Sequence, residues 1–240
     1  MFDLHTHSIF SDGELIPSEL VRRAVFNGYE AVAITDHVDF TNMEYVLHGL
    51  KKLELQNNRR DDIEVIIGVE ITHVPAVKIE KAVKRARDLG AELVVVHGET
   101  LVEPVESGTN RVAVSNPSVD ILAHPGLISE TDVELAKEND VYLEITARQG
   151  HCLANGHVAR VCSDLNAKML LNSDLHAPED FLNEELAQKI LAGAGLNPES
   201  AARVLRVYPR ELMTRVLEDY IQVFAPFRLE GRGCHTGWNE

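Results

Sequence analysis

Residues 64–97 read EVIIGVEITHVPAVKIEKAVKRARDLGAELVVVH, and the fold is decided here. The two ends, 64–71 and 92–97, are continuous apolar, β-branched runs rather than alternating ones. That pattern suits parallel strands covered on both faces. Between them Pro75–Gly90 has helical period, with a proline to start it and a glycine to stop it. Strand, helix, strand is one βαβ unit.

The same alternation continues outward in both directions. Strands are expected at 2–6, 31–36, 119–124, 141–146 and 168–173. Helices are expected at Pro17–Gly28, Asn42–Arg60, Glu130–Asn139, Asn155–Asn166, Pro178–Leu191, 198–206 and 209–224. Seven such units suggest a closed or nearly closed parallel barrel, which a single domain of 240 residues can build. An open doubly wound sheet is the structural alternative. It usually carries a Gly-rich phosphate loop after its first strand, and none follows residues 2–6. The expected organisation is one barrel domain over 1–224 and a flexible tail over 225–240, which holds the single tryptophan, Trp238.

Composition narrows the function classes. Asp and Glu number 38 against 23 Lys and Arg, a net charge of −15. An acidic chain is a poor nonspecific partner for nucleic acid or anionic membrane, yet it admits a small anion at a local positive site. No run approaches the ~18 apolar residues of a membrane span. MFDLHTHSIFSDG carries charge and histidine where a signal peptide needs an apolar stretch. Cys152, Cys162 and Cys234 form no CxxC pair and no disulfide framework, so a reducing, cytoplasmic location is expected.

Histidine is the feature that stands out, with eleven in the chain. On a strand, His5 and His7 point to the same side, while Leu4 and Thr6 face the other way. Asp12 follows in the next loop. The later strands run into Ile34-Thr35-Asp36-His37, Gly68-Val69-Glu70, VVVH ending at His97, ILAH ending at His124, and Ser173-Asp174-Leu175-His176. In a barrel the C-terminal ends of the strands open onto one face. His5, His7, His37, His97, His124 and His176 would therefore share a pocket with Asp12, Glu70 and Asp174. A lone strand-terminal histidine is usually a hydrogen-bonded structural residue; nine such groups at one end are not explained that way. Imidazole with carboxylate suits Zn, Mn or Fe, whereas Ca or Mg favours oxygen alone. Nine donors are too many for one tetrahedral ion and suit two to three ions if a carboxylate bridges.

Taken together, DLHTHS, TDH, GVE, VVVHGE, AHPG and SDLH resemble the motifs of the PHP (polymerase and histidinol phosphatase) superfamily, over roughly residues 1–205. The resemblance implies a distorted (β/α)7 TIM-like barrel with a trinuclear metal site. It implies a first ion held by His5, His7, Glu70 and Asp174, with Glu70 bridging to a second held by His97 and His124. Asp12, His37 and His176 would hold a third. Asp12 stands where some members carry histidine, which points that position towards a harder ion. The implied activity is hydrolysis of a small phosphate monoester, as in a histidinol phosphatase, by a hydroxide held between ions sharing Glu70. Glu70, Asp174 and His176 are then the candidate catalytic residues, and the partner is a small phosphorylated substrate rather than a membrane or long nucleic acid.

Glu144–His151, EITARQGH, follows the sixth expected strand and should lie on the same rim. Arg148 would clamp a phosphate through its fork of donors, and His151 would bind substrate or donate a proton. Glu144 would orient a ligand histidine. His73 is expected to be structural or to support a ligand, His48 and His157 to be solvated, and His235 to lie in the tail. The main competing reading is a nuclease or phosphodiesterase acting on nucleotides or short oligonucleotides, which an acidic chain with 5% aromatic residues disfavours. An amidohydrolase would need a bridging lysine where Glu70 stands. A regulatory barrel without chemistry would show lost ligands, and none is missing.

Overall fold

The computed structural model describes residues 1–55 and 63–228. Among the described residues eight strands, all paired in parallel, account for the apolar runs: β1 (Phe2–Asp3), β2 (Ala31–Ile34), β3 (His37–Val38), β4 (Glu64–Ile71), β5 (Leu93–His97), β6 (Ile121–Ala123), β7 (Tyr142–Thr146) and β8 (Met169–Asn172). Their order is β1-β2-β4-β5-β6-β7-β8, with β3 pairing further along β4 than β2 does. Helices α1 (Pro17–Phe26), α2 (Met43–Leu55), α3 (Ile79–Asp88), α4 (Thr109–Val114), α5 (Glu130–Glu138), α6 (Asn155–Leu165) and α7 (Glu184–Gly193) connect or follow the strands. The chain then runs through α8 (Pro198–Ala202) and a π-helical turn into α9 (Tyr208–Arg228). No described helix is long and apolar enough to cross a membrane.

Each strand has two buried faces, and the period of two separates them. Val32, Ile34, Val65, Ile67, Val94, Val96, Leu143 and Ile145 pack outward in the core shared with the helices. Leu4, Ala31, Ala33, Ile66, Leu93, Val95, Ile121, Ala123, Tyr142 and Leu170 form a second cluster. Only the interior of a barrel can gather residues from all these strands. Leu212, Met213 and Val216 of α9 belong to the same cluster, so the last helix forms the floor of the barrel.

Between β8 and β1 the ladder gives way to side chains. A single bridge pairs Thr6 with Leu175, and His7 N–H donates to the Leu175 carbonyl at 2.8 Å. Below it, Asn172 Oδ1 accepts from Leu4 N–H at 3.0 Å and Asp3 Oδ1 accepts from Ser173 N–H at 3.2 Å. The barrel is nearly closed, as expected, but β1 ends at Asp3 instead of residue 6. Leu4 consequently packs in the inner cluster rather than facing away from the histidines.

The expected strand 31–36 is broken between β2 and β3. There Asp36 turns its carboxylate onto the loop after β1, accepting from Ser8 N–H (2.8 Å), Ser8 Oγ (2.7 Å), Ser11 N–H (3.1 Å) and Ser11 Oγ (2.7 Å). Helix α4 has no counterpart in the expected elements. The helix expected from Pro178 begins at Glu184, where Asn183 caps it by accepting from Leu186 N–H at 2.8 Å; Pro178–Asp180 is a 3₁₀ turn. The end of the helix expected over 42–60, and the tail residues Cys234, His235 and Trp238, lie outside the described residues.

Candidate metal centre

Continuing the inward period of β4 through Ile66 and Gly68 brings Glu70 into the barrel. The same step on β5 brings His97 and on β7 Glu144. His37 opens β3 in register with Glu70. His124, Asp174 and His176 follow β6 and β8, and His5, His7 and Asp12 follow β1. The structure thus brings all nine residues singled out from the sequence to one mouth of the barrel. Gly98 and Gly126 permit the crowding there: a Cβ on Gly98 would lie 2.2 Å from the Ala123 carbonyl oxygen, and one on Gly126 2.0 Å from that of Glu99. The rings of His97 and His124 consequently come within 4.5 Å.

Glu70 is at the centre and fully buried. Its Oε2 lies 3.3 Å from His5 Nε2, 3.7 Å from His7 Nε2 and 2.6 Å from His37 Nδ1, and its Oε1 lies 3.6 Å from His124 Nε2. Asp174 Oδ1 is 3.2 Å from His7 Nε2, and Oδ2 is 3.6 Å from His124 Nε2. At the rim, Asp12 Oδ1 lies 3.2 Å from His176 Nε2 and 3.6 Å from His37 Nε2. Donor atoms fall within 4.8 Å of one another in His5, His7 and Asp174; in Glu70, His97 and His124; and in His7, Asp12, His37 and His176. His124 and Asp174 both adopt left-handed backbone, φ 26° and 54°. Aspartate and histidine enter that region more readily than most residues, and such backbone still costs of order 1–3 kcal/mol each.

Glu144 organises the layer beneath. One of its oxygens accepts from His5 Nδ1 and from Asn172 Nδ2, both at 2.8 Å, and the other from His124 N–H at 3.0 Å. A carboxylate accepts only, so His5 keeps a proton on Nδ1 and turns Nε2 to the cluster as the atom that would bind an ion once deprotonated.

The electrostatics follow from this crowding. Burial would lower His5, but Glu144, Glu70 and Asp174 outweigh it and hold the ring well above its ordinary pKa. Burial likewise opposes His37, which Glu70 and Asp12 nevertheless raise to about 9. His7 and His124 are driven well below the ordinary value by burial and by neighbouring imidazoles. Burial would raise Glu70, yet His5 and His37 hold it well below the carboxylate range. Asp174, pressed by burial and by Glu70, rises to about 6.

The donor set fits divalent ions. His5 Nε2, both ring nitrogens of His7, both oxygens of Glu70, His124 Nδ1 and Asp174 Oδ1 are buried without a well-formed hydrogen bond. Each such atom costs about 1–3 kcal/mol, and a cation is the partner that convergent lone pairs can share. Ions bind neutral imidazole, so rings held protonated at neutral pH must release protons on loading. Affinity should therefore rise with pH up to about 9, where His37 loses its proton unaided. Calorimetric titration with Zn at pH 7 in two buffers of different ionisation heat is expected to show net proton release. Identical heats would contradict it.

The remaining histidines separate. His151 joins the site, its ring stacked on His124 at 4.3 Å and its Nδ1 2.7 Å from Thr100 Oγ1. Arg148 stands at the edge, 3.6 Å from Asp180, whose carboxylate also accepts from His176 N–H. His48 is exposed. His157, expected to be solvated, is half-buried and donates from Nε2 to the Ile128 carbonyl at 2.7 Å. Sequence reasoning missed Glu103, which lies 3.1 Å from His97 Nε2, 3.3 Å from His73 Nε2 and 3.4 Å from His151 Nε2.

A profile described as "PHP domain" matches residues 3–147. MJ1295, an uncharacterised protein of Methanocaldococcus jannaschii, is 52% identical over 217 residues, covering 90% of this chain and 99% of that protein. A ribonuclease P protein component 3 of Methanosarcina barkeri is 23% identical, covering 89% of each chain. A probable phosphatase of Thermoanaerobacter sp. is 25% identical, covering 83% of this chain and 88% of that one. Among solved structures, histidinol phosphate phosphatase from Lactococcus lactis, complexed with Zn, L-histidinol and phosphate, shares the fold. Its TM-score is 0.56 at 17% identity, covering 82% of this chain and 94% of that chain.

Proposed function

The chain belongs to the PHP domain family, and on that premise we propose that it hydrolyses a small phosphate monoester at a trinuclear metal centre. It is a metal-dependent hydrolase of the PHP phosphoesterase type. The observation that carries the finer reading is the convergence of nine imidazole and carboxylate side chains, five of which (His5, His7, Glu70, His124 and Asp174) have buried donor atoms without a well-formed hydrogen bond. His5, His7, Glu70 and Asp174 would hold one ion, Glu70, His97 and His124 a second, and Asp12, His37 and His176 a third. Bound Zn, Mn or Fe would acidify water and neutralise the phosphate oxygens and the departing alkoxide.

The chain's own residues supply the rest. Glu70 carries the charge common to two positions. Glu144 fixes the tautomer of His5, and Asp36 pins the loop that carries Asp12. Arg148 presents its donor fork to a phosphate oxygen, and His151, held below its ordinary pKa chiefly by burial, binds the substrate as a neutral ring rather than as an acid. A cavity of about 600 Å³ lined by Arg148, Gln149, Ser173, Asp180 and Phe181 would take the organic part of a small ester. The ester would be met in the cytoplasm, where Cys152 and Cys162 remain free thiols, by a single barrel domain over 1–224.

A panel of phosphate monoesters, phosphodiesters and dinucleotides, assayed on chelator-stripped protein resupplied with Mn, Zn or Fe, tests the reading. Metal-restored hydrolysis of monoesters is expected. A second reading, phosphodiester cleavage, is favoured by the relative named ribonuclease P protein component 3, and turnover of diesters alone would establish it instead. Arg148→Ala should raise KM for monoesters by about tenfold, the worth of one charge-assisted hydrogen bond. The thermal midpoint should hardly move, because the pair with Asp180 is partly exposed. Unchanged KM would return Arg148 to the surface.

A further inference from the structure

His97 belongs to two groups of donors at once. Inward it stands with Glu70 and His124; outward it stands with His73 and Glu103, whose donor atoms also lie within 4.8 Å of one another and of His97. Neither His73 nor Glu103 is in the ligand set proposed above. Glu103 Oε2 is 3.1 Å from His97 Nε2 and 3.3 Å from His73 Nε2. An ion bonded to nitrogen and oxygen at about 2.0–2.2 Å sets neighbouring ligand atoms roughly 3.0–3.6 Å apart. Glu103 therefore already stands at ligand spacing from both imidazoles, and the two ring nitrogens lie within 4.8 Å of each other. Among the described residues, the ion-pair partners of Glu103 are all imidazoles: His73, His97 and His151.

Two further observations give the arrangement a direction. Side-chain exposure falls from 45% at His73 and 36% at Glu103 to 3% at His97, 1% at His124 and none at Glu70. The donors form a path from solvent to the buried centre. His97 Nδ1 lies 3.1 Å from the Gly98 carbonyl, which can only accept, so the proton sits on Nδ1 and one lone pair is left on Nε2. One lone pair serves one ion, and the outer and inner positions cannot both use His97 at the same time. A cavity of about 150 Å³ lined by His73, His97, Val105, Glu106 and Thr109 adjoins the outer position and has room for water to complete its coordination.

We propose that His73 and Glu103 form a loading station, at which a divalent transition-metal ion is held with His97 before His97 passes it inward to Glu70 and His124. The mixed nitrogen and oxygen donors suit Zn, Co or Fe(II) better than Mg or Ca. The inference rests on the metal-centre reading but concerns how the centre fills, and so is separable from it.

Full-length protein stripped by chelator and mixed rapidly with Co(II), followed by ligand-field absorption, reads the loading rate. Equilibrium dialysis reads the number of ions bound. In His73→Ala and in Glu103→Gln, loading should slow by about tenfold or more through loss of the local concentrating site, with the number bound at equilibrium unchanged. Loading at the wild-type rate in both variants would overturn the proposal. So would a loss of bound equivalents, which would make the two residues permanent ligands. A wild-type protein that takes up no cobalt would overturn the metal centre itself, and the loading station with it.

Discussion

Glu70→Gln is expected to lower phosphoester turnover by about 10³-fold or more while leaving the fold in place. The substitution keeps size and shape and removes one negative charge from the most buried point of the cluster. Glu70 faces His5, His7, His37 and His124 through its two oxygens, and among the described residues no other carboxylate faces all four. The imidazoles His5 and His37 hold its pKa well below the usual carboxylate range, which favours the charged form that glutamine would lack. Glutamine would offer one acceptor oxygen and point an NH₂ group at lone pairs meant for a cation. Metal catalysis supplies several kcal/mol, and each 1.36 kcal/mol is tenfold in rate, which sets the expected loss. Turnover, metal content and far-UV circular dichroism on the same preparation check it. Normal turnover with normal metal content would remove Glu70 from the centre.

Glu144→Gln should act one layer further out. It is expected to weaken metal binding by about 10–100-fold, the range for groups that orient ligand histidines. Glu144 accepts three hydrogen bonds in a fully buried site, from His5 Nδ1, Asn172 Nδ2 and His124 N–H. An amide has one acceptor oxygen to offer and turns an N–H against whichever donor remains. Either His5 or His124 then loses its fixed orientation, and a donor left unpaired costs about 1–3 kcal/mol of stability. The two effects are separable: metal dissociation constants report the first, and urea unfolding of stripped protein the second. Lost stability with unchanged metal affinity would reduce Glu144 to a structural residue.

Much of this was legible before any coordinates, for a physical reason. Parallel strands buried on both faces leave continuous apolar runs, and a barrel collects strand ends at one mouth, so His97 and His124 could be assigned to one pocket from their positions alone. What was hidden depends on side chains replacing backbone. β1 stops at Asp3 because Asp3 and Asn172 take over its pairing, which no propensity reports. Asp36, read only as part of TDH, interrupts its strand to bind Ser8 and Ser11; the recurrence of serine in HSIFSDG was the available signal. Helix α4 is six residues long and rich in β-branched side chains, too short for a period to show. Glu103 lies on an aperiodic loop, 30 residues from His73 and 48 from His151, and only the closed barrel brings them together.

The floor formed by α9 has a consequence for how the protein is made. The nine side chains proposed as metal ligands are all in the chain by His176, and the walls by β8. Leu212, Met213 and Val216, which close the opposite end, are among the last described residues to leave a ribosome. A growing chain therefore has every metal-binding group before it has a sealed interior, and the apolar lining of the barrel stays open to solvent until α9 arrives. A nascent chain stalled or cut short of Leu212 would present a full set of metal-binding groups on a barrel unable to exclude water from below.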